Sequence, residues 1–334
     1  GDQLAAVIDL VGEMMMKPSF PEEEFEKVKL EELASIEENR SEPQAIALTE
    51  LRRRTSNHSK SDPRYTMNFD EEVAALNKVT LDEVKAFYKD FYGASDATVA
   101  VVGDFDEAAI EEALSNNFAS WESPKRFERL KDSYFEPEKQ NVEFETPDKA
   151  NAWFLAAQNM KLSTSDEDYP AVMLGNYMLG GGALKSRLAD RIRQQDGLSY
   201  GVGSFFNASD LDQSATLGGY AFFAPENVEA VEKAFFEEIE KVLADGFTEE
   251  ELVAAKSGWK QGQEVSRAQD GTLAAMLSEN LYLDRDMQWS EEMETKVMAL
   301  TVEEINAAMK KYLNPEKMVV IKAGDFAKGR AVKP

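Results

Sequence analysis

An internal repeat fixes the architecture that is open to this 334-residue sequence. One copy contains "PSFPEEEFEKVK" (18–29) and later "VTLDEVKAFYKDFYGASDATVAVVGDF" (79–105). The other contains "DGFTEEELVAAK" (245–256) and later "LTVEEINAAMKKYLNPEKMVVIKAGDF" (300–326). The matched positions are Thr80 with Thr301, Val84 with Ile305, Phe91 with Tyr312, and Gly-Asp-Phe 103–105 with Gly-Asp-Phe 324–326. Two blocks that match in the same order predict two related domains.

Each copy predicts the same run of elements. An acidic helix is followed by a long polar helical stretch and then by a helix that a Thr-x-x-Glu capping box opens. A short strand rich in β-branched residues ends the copy, "ATVAVVG" (97–103) in one and "MVVIKAG" (318–324) in the other. The two capping boxes are Thr80/Glu83 and Thr301/Glu304.

The copies differ in what precedes them. Residues 141–244 stand before the matched part of the second copy, and almost nothing does so in the first. We therefore expect residues 1–120 to form the C-terminal part of a first domain that lacks its N-terminal half or builds it from another chain. The polar, proline-containing segment 121–140 reads as a linker, and residues 141–334 as a complete second domain. The opening "GDQLAAVIDLVGEMMMKP" lacks the pattern of a signal peptide and resembles the middle of a helix.

Helices and strands mix in the second copy without strict βαβ alternation, which predicts the α+β class. A glycine run at 180–182 is expected to break one helix before the next begins. The valine, phenylalanine and isoleucine spacing within 226–246 indicates an amphipathic helix that Gly246 ends. The predicted strands are 141–145, 150–160, 198–206 and 213–224, and the other predicted helices are 169–179 and 183–195.

Composition excludes several classes of function. There are 63 acidic and 37 basic residues, a net charge of −26, which argues against nucleic acid or an anionic membrane as partner. The chain has no cysteine, so disulfides, thiolate metal sites and a cysteine nucleophile are excluded. No run of apolar residues is long enough to span a bilayer.

The stretch "RIRQQDGLSYGV" (191–202) sets a cation and a phenol on either side of a helix end and a strand start. Arg193 is predicted beside the apolar stripe of Leu184, Leu188 and Ile192, on a face with Ser186 and Ala189. In the strand that follows, alternation puts Leu198, Tyr200 and Val202 on one face. Guanidinium and phenol hydrogens suit a peptide carbonyl or an oxyanion. The spacing alone favours the structural alternative, which is an arginine that caps a carbonyl or pairs with an acid and a tyrosine packed in the core.

The stretch "YMLGGGALKSRLADRIRQQDGLSYGV" (177–202) resembles the C-terminal domain of the M16 zinc peptidases, the group of pitrilysin, insulinase and the mitochondrial processing peptidase. The family pattern is a glycine-rich turn, Ser-Arg-Leu, and then Arg-x-x-x-x-Gly-Leu-x-Tyr. The matching positions here are Gly180, Gly181, Gly182, Ser186, Arg187, Leu188, Arg193, Gly197, Leu198 and Tyr200. The resemblance implies two related domains of the LuxS/MPP-like metallohydrolase fold, with antiparallel sheets flanked by helices.

The resemblance also implies a role. Such a pair of domains forms half of a clamshell around a peptide chamber, and Arg193 and Tyr200, with the turn at Gly180, Gly181 and Gly182, contact substrate beside a zinc centre in the opposite half.

The catalytic motif of that family is missing. It reads H-x-x-E-H, with two histidine ligands, a glutamate base and a further glutamate ligand. This chain has one histidine, His58, in a polar basic stretch typical of a surface. The position of the distal glutamate falls on Ser35, and its acidic neighbours read as a solvated helix face. We expect no metal and no catalytic residue in this chain, and zinc in the catalytic half.

Other sites are weaker candidates. The "GGGALKS" run lacks the spacing of a phosphate-binding loop and reads as a tight turn between two helices. A serine triad would depend on His58 alone and has no G-x-S-x-G elbow. The aromatic residues form core or a chamber wall that grips apolar peptide side chains; they are Trp153, Phe205, Phe206, Phe222 and Phe223.

The sequence thus predicts the non-catalytic half of an M16-type peptidase, inactive alone. Its partners would be peptides and a catalytic M16 half in the same polypeptide or a heterodimer. A purely structural or assembly subunit is the alternative, and an enzyme of another class is the remaining one. We expect a periplasmic or secreted location, with the cytoplasm as the alternative, because the resemblance is to bacterial members and cysteines are absent.

Overall fold

The structure is a computed structural model that describes residues 3–182 and 185–332. The chain forms two compact units that interleave along the sequence. Unit 1 comprises residues 1–36, 71–130 and 264–287, and unit 2 comprises 37–70, 131–263 and 288–334, each within the described ranges. The division into a first domain, a linker and a second domain stays a prediction.

Thirteen α-helices and five strands are assigned within the described residues. The helices are α1 Leu4–Met16, α2 Glu22–Asn39, α3 Pro43–Thr55, α4 Phe69–Lys78, α5 Leu81–Phe91, α6 Glu107–Phe118, α7 Tyr169–Asn176, α8 Val228–Asp245, α9 Glu249–Arg267, α10 Asp270–Tyr282, α11 Met287–Ala299, α12 Val302–Tyr312 and α13 Phe326–Val332. The strands are β1 Gln140–Glu145, β2 Ala152–Met160, β3 Ser199–Ala208, β4 Ala215–Phe223 and β5 Val319–Gly324. Two π-helical turns span Tyr177–Gly181 and Ala189–Gln195, and short 3₁₀ turns span Pro225–Asn227 and Pro315–Lys317.

Unit 2 is built on one five-stranded sheet in the order β1-β5-β2-β4-β3. Strand β1 runs parallel to β5, and the other pairs are antiparallel. The sheet is therefore mixed, which corrects the predicted antiparallel sheets. The α+β class, with a mixed sheet flanked by helices, is confirmed.

Different helices pack on the two faces of the sheet. Side chains of even-numbered β2 residues, such as Phe154, face a large core built with α7, α8 and α12. The opposite face of β2 and β5 packs against Ile46, Ala47 and Leu51 of α3. Both faces are buried there, and β2 and β5 are mostly apolar. For β2 this agrees with the buried strand predicted at 150–160.

Unit 1 has no strand among its described residues. Residues 97–103, which were predicted to form a strand, form none and have no ladder partner, so that prediction was wrong. Its repeat counterpart, β5, pairs with β1 on one side and β2 on the other. An extended segment becomes a strand only beside a neighbour that accepts its backbone hydrogen bonds, and the described part of unit 1 supplies none.

Equivalent residues of the two sequence copies make equivalent hydrogen bonds. The Lys29 ammonium donates to the carbonyls of Asn77 and Val79, at 3.1 and 2.7 Å. Its counterpart Lys256 donates to the matching carbonyls of Met298 and Leu300, at 2.8 and 2.6 Å. Both predicted capping boxes form as well, with their hydroxyl and carboxylate hydrogen bonds in place. The two copies thus share side-chain geometry as well as helix order.

Candidate functional site

A β-bulge opens strand β3 at Tyr200. Ser199 lies opposite Phe223 and Gly201 lies opposite Phe222, so Tyr200 is an extra residue with no partner on β4. The buried Ser199 hydroxyl lies 2.6 Å from the Gly201 carbonyl oxygen and 2.7 Å from that of Phe222. It also accepts the Gly201 N–H at 3.1 Å. Since a bulge redirects the side chain at its centre, Ser199 holds the backbone shape that presents Tyr200.

The bulge turns Tyr200 away from its predicted face. Leu198 and Val202 pack on the core beneath α8. Tyr200 is 62% exposed, and its ring packs on Phe222 at 5.6 Å, a residue that alternates with the core-facing Phe223 and lies on the other face. The prediction that Leu198, Tyr200 and Val202 share one face was wrong, because simple alternation does not continue through an inserted residue.

Arg193 lies in the π-helical turn Ala189–Gln195, and its side chain is exposed. Ser186 and Ala189, which were predicted to share its face, are buried. Arg193 therefore does not share the buried face of Ser186 and Ala189, and that prediction was wrong. Of the predicted stripe, Leu188 and Ile192 are fully buried, and Leu184 lies outside the described residues.

Arg193 and Tyr200 are joined by a short, fixed corner. Gly197 has φ +63°, a left-handed conformation that favours glycine. The Leu198 N–H donates to the Ile192 carbonyl at 2.9 Å, which ties the strand start to the end of the turn. Within the described residues, the Arg193 guanidinium and the Tyr200 hydroxyl have no hydrogen-bond or ion-pair partner. Both groups are therefore available to a ligand.

The glycine run is a packing feature of the same corner. The helical segment continues through Gly180 as a π-helical turn and ends at Gly181, inside the glycine run at 180–182 that was predicted to break it. A Cβ on Gly180 would lie 2.4 Å from the Ser204 nitrogen, and one on Gly182 would lie 2.8 Å from the Tyr177 carbonyl oxygen. A Cβ on Gly181 would meet the Asn176 amide at 3.1 Å. Gly180 thus lets this turn approach β3, whereas the sequence suggested an approach of two helices.

Arg187, a second arginine of the same stretch, forms its ion pairs and hydrogen bonds within the fold. Its guanidinium pairs with both carboxylate oxygens of Glu251 and donates to the Gly246 carbonyl at 3.2 Å. The buried carboxylate of Glu238 lies 3.4 Å away. Hydrogen bonding to Glu251 raises the pKa of Arg187 further above its ordinary value. Burial raises the pKa of Glu251, but hydrogen bonds from Arg187 and Thr248 outweigh burial and hold that pKa below its ordinary value near 4.5.

An aromatic surface adjoins Tyr200. The Phe222 ring lies 5.6 Å from Trp153, and Trp153 stacks on Tyr220 at 6.2 Å. Beside these rings is a depression of about 460 Å³, and at its rim the Lys149 ammonium pairs with Glu42 at 2.5 Å. Its lining is Glu42, Pro43, Gln44, Lys149, Ala150, Asn151, Trp153, Gly201, Tyr220 and Phe222. We call it the aromatic depression.

Only some residues of this aromatic surface were predicted from the sequence. Trp153 and Phe222 were candidates for a chamber wall, but Tyr220, Gly201 and Ser199 were not singled out. The alternation of β4 could have indicated Tyr220, since it shares a face with Phe222. Phe206 packs on the α8 core and Phe223 is buried in it, which makes these two structural.

The described residues contain no group of three or more His, Cys, Asp or Glu side chains that could hold a metal ion. His58 is partly exposed and lies 3.6 Å from both Asp62 and Asp132. Ser35 and the neighbouring carboxylates of α2 are exposed. In the same part of the chain, no helix is both long and apolar enough to cross a membrane.

Known proteins resemble this chain in sequence. Residues 78–258, more than half of the chain, match the family model described as "Peptidase M16 inactive domain". The chain is 23% identical over 300 residues to "Uncharacterized zinc protease YmxG" of Bacillus subtilis, covering 90% of this chain and 70% of that protein. It is 25% identical over 306 residues to "Non-peptidase homolog YmxG" of Helicobacter pylori, covering 89% and 67%.

Solved structures resemble this chain in fold. The crystal structure of a peptidase M16 inactive domain from Pseudomonas fluorescens superposes with a TM-score of 0.83 at 27% identity, over 97% of this chain and 75% of that one. The fold also resembles the periplasmic protease PqqL of Escherichia coli, with a TM-score of 0.63 at 15% identity over 90% and 32% of the two chains. The chain belongs to the peptidase M16 family, in its inactive-domain branch.

Proposed function

We propose that this chain is the non-catalytic half of an M16-type zinc peptidase and that it binds the peptide substrate with Arg193 and Tyr200. The observation that carries the proposal is the bulge at the start of β3. It exposes the Tyr200 phenol seven residues after the exposed Arg193 guanidinium, and neither group has a polar partner in the described residues. The buried hydrogen bonds of Ser199 hold the bulge that exposes the Tyr200 donor, and the Arg193 donor is exposed as well. Two exposed donors without partners can bind an acceptor.

The acceptor that fits is a peptide carbonyl. A guanidinium and a phenol both donate, and two donors converging on a carbonyl oxygen stabilise the charge that develops there during hydrolysis. Zinc in the catalytic half would supply the activated water. In this chain Arg193 and Tyr200 orient the peptide, while the turn at Gly180, Gly181 and Gly182 supports the strand that carries Tyr200.

The peptide would lie extended along the bulged end of β3. This is the edge strand of the described sheet, and an extended peptide can add to such an edge through main-chain hydrogen bonds. The unit would then form one side of a clamshell chamber whose other side is the catalytic half, in the same polypeptide or in a heterodimer. The negative net charge fits a peptide ligand better than a nucleic acid. A periplasmic or secreted location remains part of the proposal.

We further propose that unit 1 is the C-terminal part of a related domain, completed by elements equivalent to β1, β2 and α7. Val99 is 52% exposed and its counterpart Val320 is 3% exposed, because β5 has strand neighbours. Phe87 is 57% exposed and its counterpart Ala308 is 3% exposed. A groove of about 740 Å³ with mostly apolar lining runs beside Val84.

The second copy supports this assignment of the missing elements. Ile305, the counterpart of Val84, packs with Met309 against Gly175 of α7. Gly103 has open space where a Cβ would stand, whereas a Cβ on its counterpart Gly324 would lie 2.5 Å from Ala152 of β2. A sheet and a helix of that kind would cover the exposed apolar side chains of unit 1.

Peptide cleavage and zinc content test the proposed function. We expect the chain alone to be zinc-free and inert, and to restore cleavage when it is mixed with the catalytic M16 half encoded in the same or a neighbouring reading frame. Stoichiometric zinc and cleavage by the chain alone would contradict the proposal. A mixture that assembles but cleaves no better than the catalytic half alone would favour the structural or assembly role.

A further inference from the structure

We propose that the aromatic depression beside Tyr200 is a specificity subsite that takes a bulky apolar side chain of the bound peptide. The proposal deepens the proposed function, on which it rests, by naming the substrate class. The Tyr200, Phe222, Trp153 and Tyr220 rings form a continuous row from the bulge across β4 to β2.

Gly201 leaves this site open. It follows the bulge, it lines the depression, and a Cβ placed on it would meet no atom within 4 Å. The other glycines of β3 and β4 are packed closely, as Gly203, Gly218 and Gly219 show by contacts of 3.1 Å or less. A volume of about 460 Å³ lies within the range of sites that enclose organic groups.

Charge selects an apolar side chain over a cationic one. Aromatic rings attract both kinds of group. However, the depression contains one carboxylate, Glu42, and the Lys149 ammonium already neutralises it at 2.5 Å. An incoming lysine or arginine would meet that ammonium without a free counter-ion, whereas an apolar group gains from burial against the rings.

Position ties the depression to a peptide. The Tyr200 ring touches Phe222, which lines the depression. In an extended peptide, residues repeat about every 3.3 Å and their side chains alternate between two sides. A peptide whose carbonyl binds Tyr200 therefore has a side chain within one or two residues that points to the aromatic depression.

A peptide series tests the inference on the full 334-residue chain. Labelled peptides that differ at one position, which is Phe, Leu, Ala, Lys or Glu, are titrated by fluorescence anisotropy. Burial of a large apolar side chain predicts that the Phe and Leu peptides bind about tenfold more tightly than the Ala peptide. Gly201→Val places a branched side chain in the open space beside Gly201 and should weaken this preference, with little change for the Ala peptide.

Two controls accompany that variant. Gly262→Val adds the same side chain at another glycine with open space, on α9 and outside the depression, and should leave the preference intact. Trp153→Ala removes a ring in the middle of the row and should also abolish the preference, so the test stands if Gly201→Val folds poorly.

The outcomes separate this inference from the proposed function. Equal binding of all peptides, weakened by Arg193→Ala, would overturn the subsite and leave the proposed function standing. Tightest binding of the Lys peptide, or a preference that survives both Gly201→Val and Trp153→Ala, would overturn it as well. Absence of peptide binding to the chain and to its mixture with the catalytic half would contradict both.

Discussion

Arg187 and Arg193 lie in the same short segment and have opposite surroundings. Arg187 pairs with Glu251 and is close to the buried Glu238, whereas Arg193 is exposed. We expect Arg187→Met to lower the free energy of unfolding by about 2–3 kcal/mol, because it leaves partly buried carboxylates without their cation. Arg193→Ala should change it by less than about 0.5 kcal/mol. Urea unfolding of both variants checks this, and equal losses would contradict the division of roles.

Glu251 predicts a pH dependence of the same anchor. Its pKa in the folded chain is held below the ordinary value near 4.5. A carboxylate with a depressed folded pKa stabilises the fold above its unfolded pKa, and this stabilisation is lost as pH falls through the folded pKa. Glu251→Gln should therefore be less stable than the natural chain at pH 7, and the gap should narrow below about pH 4.5. A gap in urea midpoints that is constant from pH 7 to pH 4 would contradict this prediction.

Ser199 should act through Tyr200. Its hydroxyl accepts the Gly201 N–H and lies within hydrogen-bond distance of the Gly201 and Phe222 carbonyls, so Ser199→Ala should cost about 1 kcal/mol of stability and weaken peptide binding. The telling comparison is a double-mutant cycle: Tyr200→Phe should have a smaller effect in the Ser199→Ala background than alone. Ser199→Thr, which keeps the hydroxyl, serves as the rescue. Fully additive effects would show that Ser199 does not position Tyr200.

At the residue scale, the sequence indicated which residues belong to the corner better than it indicated which way their side chains face. The matched motif singled out Arg193, Tyr200 and the glycines, and the structure places them at one corner. It did not predict the face of Tyr200, since a bulge depends on how Ser199 bonds across to β4. The motif did not predict the exposure of Arg193 either, because the π-helical turn that carries Arg193 departs from the α-helical period on which the predicted faces rest.

Among the elements, those with local signals were predictable. The capping boxes at Thr80 and Thr301 form, and α8 buries the predicted stripe. The strand expected at 97–103 did not form, although its residues resemble those of β5. Local composition gives the tendency, and a neighbouring strand decides the outcome.

Hydrogen exchange tests that explanation at the level of the element. In the chain alone, amides of 97–103 should exchange quickly, while those of β5 should be protected by their pairing with β1 and β2. When a partner supplies the sheet that we propose for unit 1, the amides of 97–103 should become protected from exchange. The protection of the β5 amides should not change. Strong protection of 97–103 in the chain alone, or no gain on assembly, would contradict the completion of unit 1.

For the whole molecule, three residues of the matched motif each fix a local geometry. Gly180 permits a close approach, Gly197 takes a left-handed turn, and Arg187 joins helices. Few other residue types meet these requirements. The interleaving of the two units was not predictable, because it depends on which surfaces α3 and α10 cover after folding.

The most direct test of the central claim is the specific activity of the mixture with the catalytic half when Arg193→Ala and Tyr200→Phe are introduced together. Arg52→Ala with Tyr282→Phe removes the same chemical groups from exposed side chains elsewhere and is the matched control. Loss of two donors to the substrate carbonyl predicts a fall in kcat/KM of about a hundredfold, with assembly unchanged. The control should stay within about twofold of the natural chain. Equal kcat/KM for the corner variant and the control would contradict a substrate-binding role for Arg193 and Tyr200.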